Sequence, residues 1–147
     1  MTSKLQKVTI AETPLEKEQA FEVRRKVFVE EQGVPLHIEM DEFDESAVHF
    51  VGYELEQPIA AARIREIEMG TGKIERVCVL PEYRGLHAGV LMMEEMEQYA
   101  LKAGLFTLKL NAQSYAVPFY EKLDYVVTTP EFMDAGIPHR GMEKKIT

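Results

Sequence analysis

Arg84, Gly85 and Gly89 stand between an apolar run and a helical one, and residues of those types at that spacing can hold a pyrophosphate. A guanidinium supplies charge and a fork of donors, while glycines let backbone N–H groups come close to an anion. A helix that begins straight after a strand adds unpaired N–H groups and the positive end of its dipole. A plain connector satisfies the same spacing, because glycine-containing loops before helices are common.

The elements on either side must position that loop. Ile74–Leu80 is short, apolar and β-branched, which predicts a buried strand, and Pro81 stops it because proline cannot donate to a ladder. After the loop, Ala88, Met92, Met96, Tyr99, Ala100 and Ala103 recur at threes and fours, with Glu94, Glu95, Glu97, Gln98 and Lys102 on the other side. That spacing predicts an amphipathic helix over Val90–Ala103 with a glycine stop at Gly104. Leu105–Leu110 follows as a strand, and a strand-helix-strand crossover favours a parallel pair. Where two parallel strands diverge, a ligand can enter between them. A pyrophosphate on Arg84–Gly89 with an extended arm along Val77–Val79 fits coenzyme A better than a mononucleotide.

Earlier in the chain, Lys7–Ile10 reads as a strand, and Thr13-Pro14-Leu15-Glu16 as a capping box with proline at the first helical position. The helix it opens runs to about Glu31, with Ala20, Val23, Val27 and Phe28 inward and Arg24, Arg25 and Lys26 mixed among them; Gly33 and Pro35 end it. His49–Leu55, Ile59–Glu66 and the strand through Leu80 form an antiparallel meander, with its second turn at Gly70-Thr71-Gly72. Ser114 can cap a short helix through Phe119, Tyr120 and Leu123, which Pro118 makes start late. Tyr125–Thr128 and Arg140–Ile146 read as the last strands, separated by a loop over Pro130–His139. The fold class is α+β: one domain over residues 1–147, with a mixed, mostly antiparallel central sheet and helices on both faces.

Composition narrows the function. The 147 residues are 46% hydrophobic and 29% charged, and the formal net charge of -8 argues against a generic grip on nucleic acid. Cys78, the single cysteine, excludes an internal disulfide and a cysteine-rich zinc site, and His37 and His49 offer no metal spacing. With no secretory signal and no apolar run near the ~20 residues that span a bilayer, a cytoplasmic location is expected. Residues 1–60 hold thirteen Asp and Glu against six Lys and Arg, and seven of those acids fall between Glu30 and Glu45. A solvated acidic loop and a negative rim that draws in a protonated amine both fit that run. A calcium loop on Asp41, Asp44 and Glu45 lacks the regular ligand spacing.

The order of elements, the run Val79-Leu80-Pro81-Glu82-Tyr83-Arg84-Gly85 to Gly89, and Phe119-Tyr120-Glu121-Lys122-Leu123 resemble the GNAT superfamily of N-acetyltransferases. In that family the loop reads Arg or Gln, two residues, Gly, one residue, Gly or Ala. Val23 to Pro35 and Glu131 to His139 are similar to a bacterial subgroup, the YjcF-like and ElaA-like acetyltransferases. The resemblance implies the acyl-CoA N-acyltransferase fold and acetyl-CoA as co-substrate. Carried over residue by residue, it sets the cofactor on the backbone of Val77, Cys78 and Val79 and on Arg84, Gly85, Leu86, His87, Ala88 and Gly89. Gln113 falls at a cofactor-contacting position, with Asn111 ending the strand before it, and Tyr120 at the common general-acid position. Two residues depart from the pattern: His87 replaces the loop's central glycine, and Asp124 replaces the glycine usual after the short helix. A side chain at 87 is tolerable if the residue sits in the first helical turn and points outward; if that position must approach phosphate closely, binding weakens, with a protonated His87 compensating in part.

The reaction so implied is direct attack of a neutral primary amine on the thioester carbonyl, with an N–H near Val79 stabilising the oxyanion. Glu75 is the expected base, because strand alternation puts it with Val77 and Val79 on one face; an ion pair with Arg63, Arg65 or Arg76 is the competing role. His139 and Glu31 are further base candidates from the subgroup-like segments, and Cys78 reads as core before it reads as a nucleophile. Expected partners are an amine acceptor, small-molecule or peptide, and a second copy of the chain along a free sheet edge. The rival from another class is a non-catalytic acyl-CoA-binding or sensing domain.

Overall fold

A computed structural model describes residues 5–146. Strand β1 (Lys7–Ile10) leads into helix α1 (Pro14–Arg24), whose start carries the complete capping box. Glu16 N–H donates to Thr13 Oγ1 at 3.1 Å, and Thr13 N–H donates to Glu16 Oε1 at 3.0 Å. Thr13→Ala leaves an end donor unpaired, so we expect a loss of about 1 kcal/mol, read as a lower denaturation midpoint. The helix continues to Glu31 as expected, but over Arg25–Glu31 it widens into a π-helical stretch. Gly33, at φ 76°, then turns the chain, and a short helix α2 (Leu36–Glu39) follows.

Strands β2 (Val48–Glu54), β3 (Gln57–Glu68) and β4 (Thr71–Val79) form the antiparallel meander. Its second turn comes at Met69–Gly70, one residue earlier than the glycines suggested, because Thr71 already pairs with Glu68. Helix α3 (Ala88–Ala103) ends at Gly104 in the left-handed conformation, where glycine carries no Cβ penalty. Met93 joins Ala88, Met92, Met96 and Ala100 on its buried stripe, whereas Ala103 is exposed. β5 (Thr107–Gln113) returns parallel to β4; α4 (Val117–Glu121) begins one residue before Pro118, after a 3-10 turn at Ser114–Ala116.

The segment 130–139, read as a loop, instead holds β7 (Phe132–Asp134), hairpinned onto β8 (Ile137–Lys145). Ala135 and Gly136 both take positive φ, 52° and 76°, the geometry of a two-residue type I′ turn. With β6 (Val126–Val127), the described residues form an eight-stranded sheet ordered β1-β2-β3-β4-β5-β8-β6, with β7 also on β8. α1 covers one face, where Phe21 meets His49 at 5.3 Å between ring centroids; α3 covers the other, where Tyr99 meets Phe50 at 5.7 Å. No helix among the described residues is long and apolar enough to cross a membrane.

Candidate active site

β4 and β5 are paired only from Thr71↔Thr107 to Ile74↔Leu110, after which β4 stays with β3 and β5 stays with β8. The parting strands open a cleft of about 740 Å³ between them. Val77, Cys78 and Val79 line one wall, Asn111 and Gln113 the other, and Arg84, Gly85, His87, Ala88 and Gly89 the end at α3. Tyr120 and Glu75 also reach it, so of the expected site residues only Leu86 stays out of the lining.

Arg76 changes the geometry of the β4 wall. It sits at φ 61°, and the register steps from Arg63↔Glu75 to Ala61↔Cys78, so Arg76 and Val77 together oppose Ala62. This β-bulge inverts the alternation beyond it. Glu75 therefore shares its face with Cys78 and Arg63, not with Val79 as simple alternation predicted. Past the bulge, Leu80 N–H bonds back to Ile59 on the β3 side, which turns the Val79 peptide groups toward the open side. There the Val79 carbonyl accepts a 2.9 Å bond from Arg84 Nε.

Arg84 is held a second time. Its Nη1 and Nη2 donate to both oxygens of Glu31 at 2.7 and 2.6 Å, a bidentate pair across the cleft mouth. That hydrogen bonding holds the Glu31 carboxyl below its ordinary range, despite some burial. His87 is the N-cap of α3 in the left-handed conformation, φ 64°, with its side chain exposed. Thus the position does require the backbone form that favours glycine, and histidine adopts it at the cap, outside the first helical turn where it was expected. Asp124 is a parallel case at φ 73°. Gly89 answers to packing: a Cβ there would lie 3.0 Å from the Phe119 ring.

Three acids of the acidic segment are neither solvated nor a free negative rim, while Glu30, Glu42 and Glu45 stay exposed. Glu39 and Asp44 bond Arg24 at 2.8 and 2.6 Å; Asp41 and Asp44 each bond Arg63 at 2.7 Å; Arg76 reaches Asp41 at 3.1 Å. Arg24 and Arg63 are completely buried, at 0% exposure. Burial pushes the Asp44 carboxyl up, but hydrogen bonds from Arg24 and the Asp41 N–H, with the charges of Arg24 and Arg63, bring it down to about 2. A depressed carboxylate stabilises the fold above its unfolded pKa and loses that contribution as pH falls toward the folded one. We therefore expect about 2 kcal/mol from Asp44 at neutral pH, lost between roughly pH 4 and 2, as denaturant titrations across that range would show.

Glu75 belongs to the same cluster. It bonds Arg63 and Arg65 at 2.9 Å and lies 3.5 Å from Lys73. Burial raises its carboxyl, yet the Arg65 hydrogen bond and the charges of Arg63, Arg65 and Lys73 leave it below the ordinary carboxylate range. A carboxylate so stabilised accepts a proton poorly, and the expected base role gives way to the ion pair. Cys78 is core: burial pushes its thiol up to about 12, and its Sγ faces the Ala61 carbonyl at 3.8 Å.

Tyr120 is 8% exposed, its ring packed edge-on against Phe119 and Tyr125 at centroid distances of 4.9 and 6.0 Å. Its hydroxyl has no hydrogen-bond partner among the described residues, and burial pushes the phenol well above its ordinary pKa. Gln113 Nε2 donates to Gln32 Oε1 at 2.9 Å, tying β5 to the end of the π-helical stretch. Val27, Phe28 and Gln32 also line the cleft; in sequence they read as a helix's inner stripe and its end, inside a subgroup-like segment that assigns them no role. Nothing local marks them, since their neighbours across the cleft are remote in the chain.

The mixed sheet with two parting parallel strands and a helix N-terminus at the mouth is the acyl-CoA N-acyltransferase fold. The chain belongs to the acetyltransferase (GNAT) domain family, whose model matches residues 12–146. It is 44% identical over 139 residues to the Bacillus subtilis strain 168 protein named uncharacterized N-acetyltransferase YjcF, covering 94% of this chain and 99% of that one. Protein ElaA of Escherichia coli K12 is 29% identical over 129 residues, covering 85% and 84%. An acyl-CoA N-acyltransferase crystal structure from Pseudomonas aeruginosa superposes with a TM-score of 0.83 at 27% identity, over 95% of this chain and 99% of that one. The chain is thus an acetyl-CoA-dependent N-acetyltransferase of the YjcF- and ElaA-like subgroup.

Proposed function

We propose that the chain moves the acetyl group of acetyl-CoA to a primary amine by direct attack, with Tyr120 protonating the departing thiolate. The observation that carries this reading is the unpartnered Tyr120 hydroxyl in the wall of the β4–β5 cleft. The pantetheine arm lies along Val77, Cys78 and Val79, opposite Asn111 and Gln113, and the Val79 N–H faces the carbonyl oxygen as negative charge develops. The pyrophosphate rests on the N–H groups from Gly85 to Gly89, with Arg84 exchanging Glu31 for a phosphate oxygen. Histidine at 87 suits this cradle because its exposed side chain leaves the backbone N–H groups free to face the anion.

For the acceptor, the ion cluster argues against selection of a polycation. Glu39, Asp41, Asp44 and Glu75 are already paired with arginines, so we rank small monoamines ahead of polyamines. The test is thiol release from acetyl-CoA alone, then with 2-phenylethylamine, spermidine or Nα-acetyl-lysine amide. Release that requires an amine, fastest with a monoamine, is expected. Release that ignores the amine would mean hydrolysis and would overturn the reading; a preference for spermidine would overturn the ranking.

A further inference from the structure

Direct attack needs a group that takes the amine proton, and the cleft wall has few that can. Glu39 and Glu75 are engaged by arginines, and Lys73, Arg76 and Lys122 are cations with protons to give. Glu31 is clamped by Arg84, and His87 stands at the phosphate end. Asp134, next to the β7–β8 turn, and Tyr115 are exposed to water, the Tyr83 hydroxyl donates to Glu54, and the Cys78 thiol is buried. That leaves His139, half-buried on β8, directly across from Gln113 in the β5 register.

His139 is oriented by its neighbours. Its Nδ1 lies 2.7 Å from the Ile137 carbonyl oxygen, and its ring stacks on Phe132 with centroids 6.0 Å apart and planes 23° from parallel. A carbonyl only accepts, so Nδ1 carries the hydrogen and Nε2 of the neutral ring keeps its lone pair. Among the described residues Nε2 has no partner, and His139 lines the same cleft as Tyr120. The nearby charged groups are Glu131, which precedes Phe132 and accepts from the Ser114 hydroxyl, Asp134 on β7, and Arg140, next along β8; Gln113, across on β5, is neutral.

We infer that His139 Nε2 is the base that takes the proton of the attacking amine, an inference that rests on the direct-attack reading above. The nitrogen lone pair forms the C–N bond to the thioester carbon, and the nitrogen proton passes to Nε2. As the C–S bond breaks, Tyr120 gives its hydroxyl proton to the sulfur. Return of the proton from imidazolium to phenolate restores both groups, so amine and acetyl-CoA yield acetamide and free thiol with nothing left over. The β7–β8 hairpin, silent in the sequence, thereby acquires a role: it supplies the ring and the turn that hold the imidazole.

His139→Asn keeps an N–H for the Ile137 carbonyl and removes the base. At saturating 2-phenylethylamine, kcat at pH 7 should fall about 10²-fold or more, and the acid-side decline of kcat should disappear, with the affinity for acetyl-CoA unchanged. With 2,2,2-trifluoroethylamine, whose nitrogen gives its proton to water far more readily once the C–N bond forms, the defect should shrink to a few-fold. A variant that keeps the parental acid limb, or an equal defect with both amines, overturns the base assignment alone. A parent that binds acetyl-CoA but acetylates no amine overturns the direct-attack reading and this inference with it. Nitrogen NMR of the unaltered protein gives an answer independent of any variant: His139 in the Nδ1–H tautomer is expected, and the Nε2–H tautomer would overturn the assignment.

Discussion

Tyr120→Phe is expected to lower kcat by roughly 10²–10³-fold while leaving acetyl-CoA affinity and folding stability within experimental error. The change removes one oxygen from a ring whose packing against Phe119 and Tyr125 it leaves intact. Because the hydroxyl has no protein partner among the described residues, no buried group is orphaned by its loss. Burial keeps the phenol protonated across the working pH range, so a donor is always present. Transfer to a departing thiolate is nevertheless uphill, because a thiol ordinarily ionises at pH ~8.5, below the ~10 of an ordinary tyrosine phenol. The benefit must therefore come from a short hydrogen bond formed as charge builds on sulfur. Thiol-release kinetics beside a calorimetric Kd separate the cases. Unchanged kcat would mean that the thiolate leaves unassisted.

Arg63→Met carries the largest expected cost in stability. Arg63 is fully buried and touches Asp41, Asp44 and Glu75, with the last two largely buried themselves. Burial opposes its charge, but the hydrogen bonds it donates to Asp41 and the charges of Glu75 and Asp44 raise its pKa all the same. Methionine fills much of the volume and answers none of the three carboxylates. Breaking one side of a buried pair typically costs about 3–5 kcal/mol, against a total stability of about 5–15 kcal/mol. The melting temperature should drop by about 10 °C or more. Combining Arg63→Met with Asp44→Leu should recover part of the loss, since fewer charges then lie unpaired. A loss under about 1 kcal/mol in the single variant would show that water or protonation relieves those carboxylates.

Features with a local cause were legible in the sequence. Thr13 and Glu16 declare a helix start within four residues, Gly104 a helix end, and Pro81 the end of β4. The parallel junction followed from strand, helix and strand in order, and with it the place of the cleft. Of the ion cluster only the pairing of Glu75 with Arg63 and Arg65 was legible, as its competing role; the rest was not, because Arg24 pairs with Glu39 and Asp44 fifteen and twenty residues away, and Arg63 with Asp41 twenty-two away. A run of acids looks the same whether it faces water or arginine. Nor does any residue type announce the bulge at Arg76, where a positive φ on a non-glycine residue inverts the side on which Glu75 falls. The type I′ turn was hidden for a related reason: Ala135-Gly136 occupies positions where Asn-Gly or Asp-Gly is the usual signal. His87 and Asp124 were visible as departures, but only their left-handed backbones show why the resemblance has glycine there.

The parted strands and the N-terminus of α3 are expected to hold acetyl-CoA despite histidine at the loop's middle position. Calorimetric titration of acetyl-CoA into the parent protein and into His87→Gly tests it most directly. One molecule bound per chain by both proteins, with affinities within about tenfold, or ~1.4 kcal/mol, is the predicted result. Folded protein that gives no binding heat in either form, and no retention of acetyl-CoA at equilibrium, would contradict it.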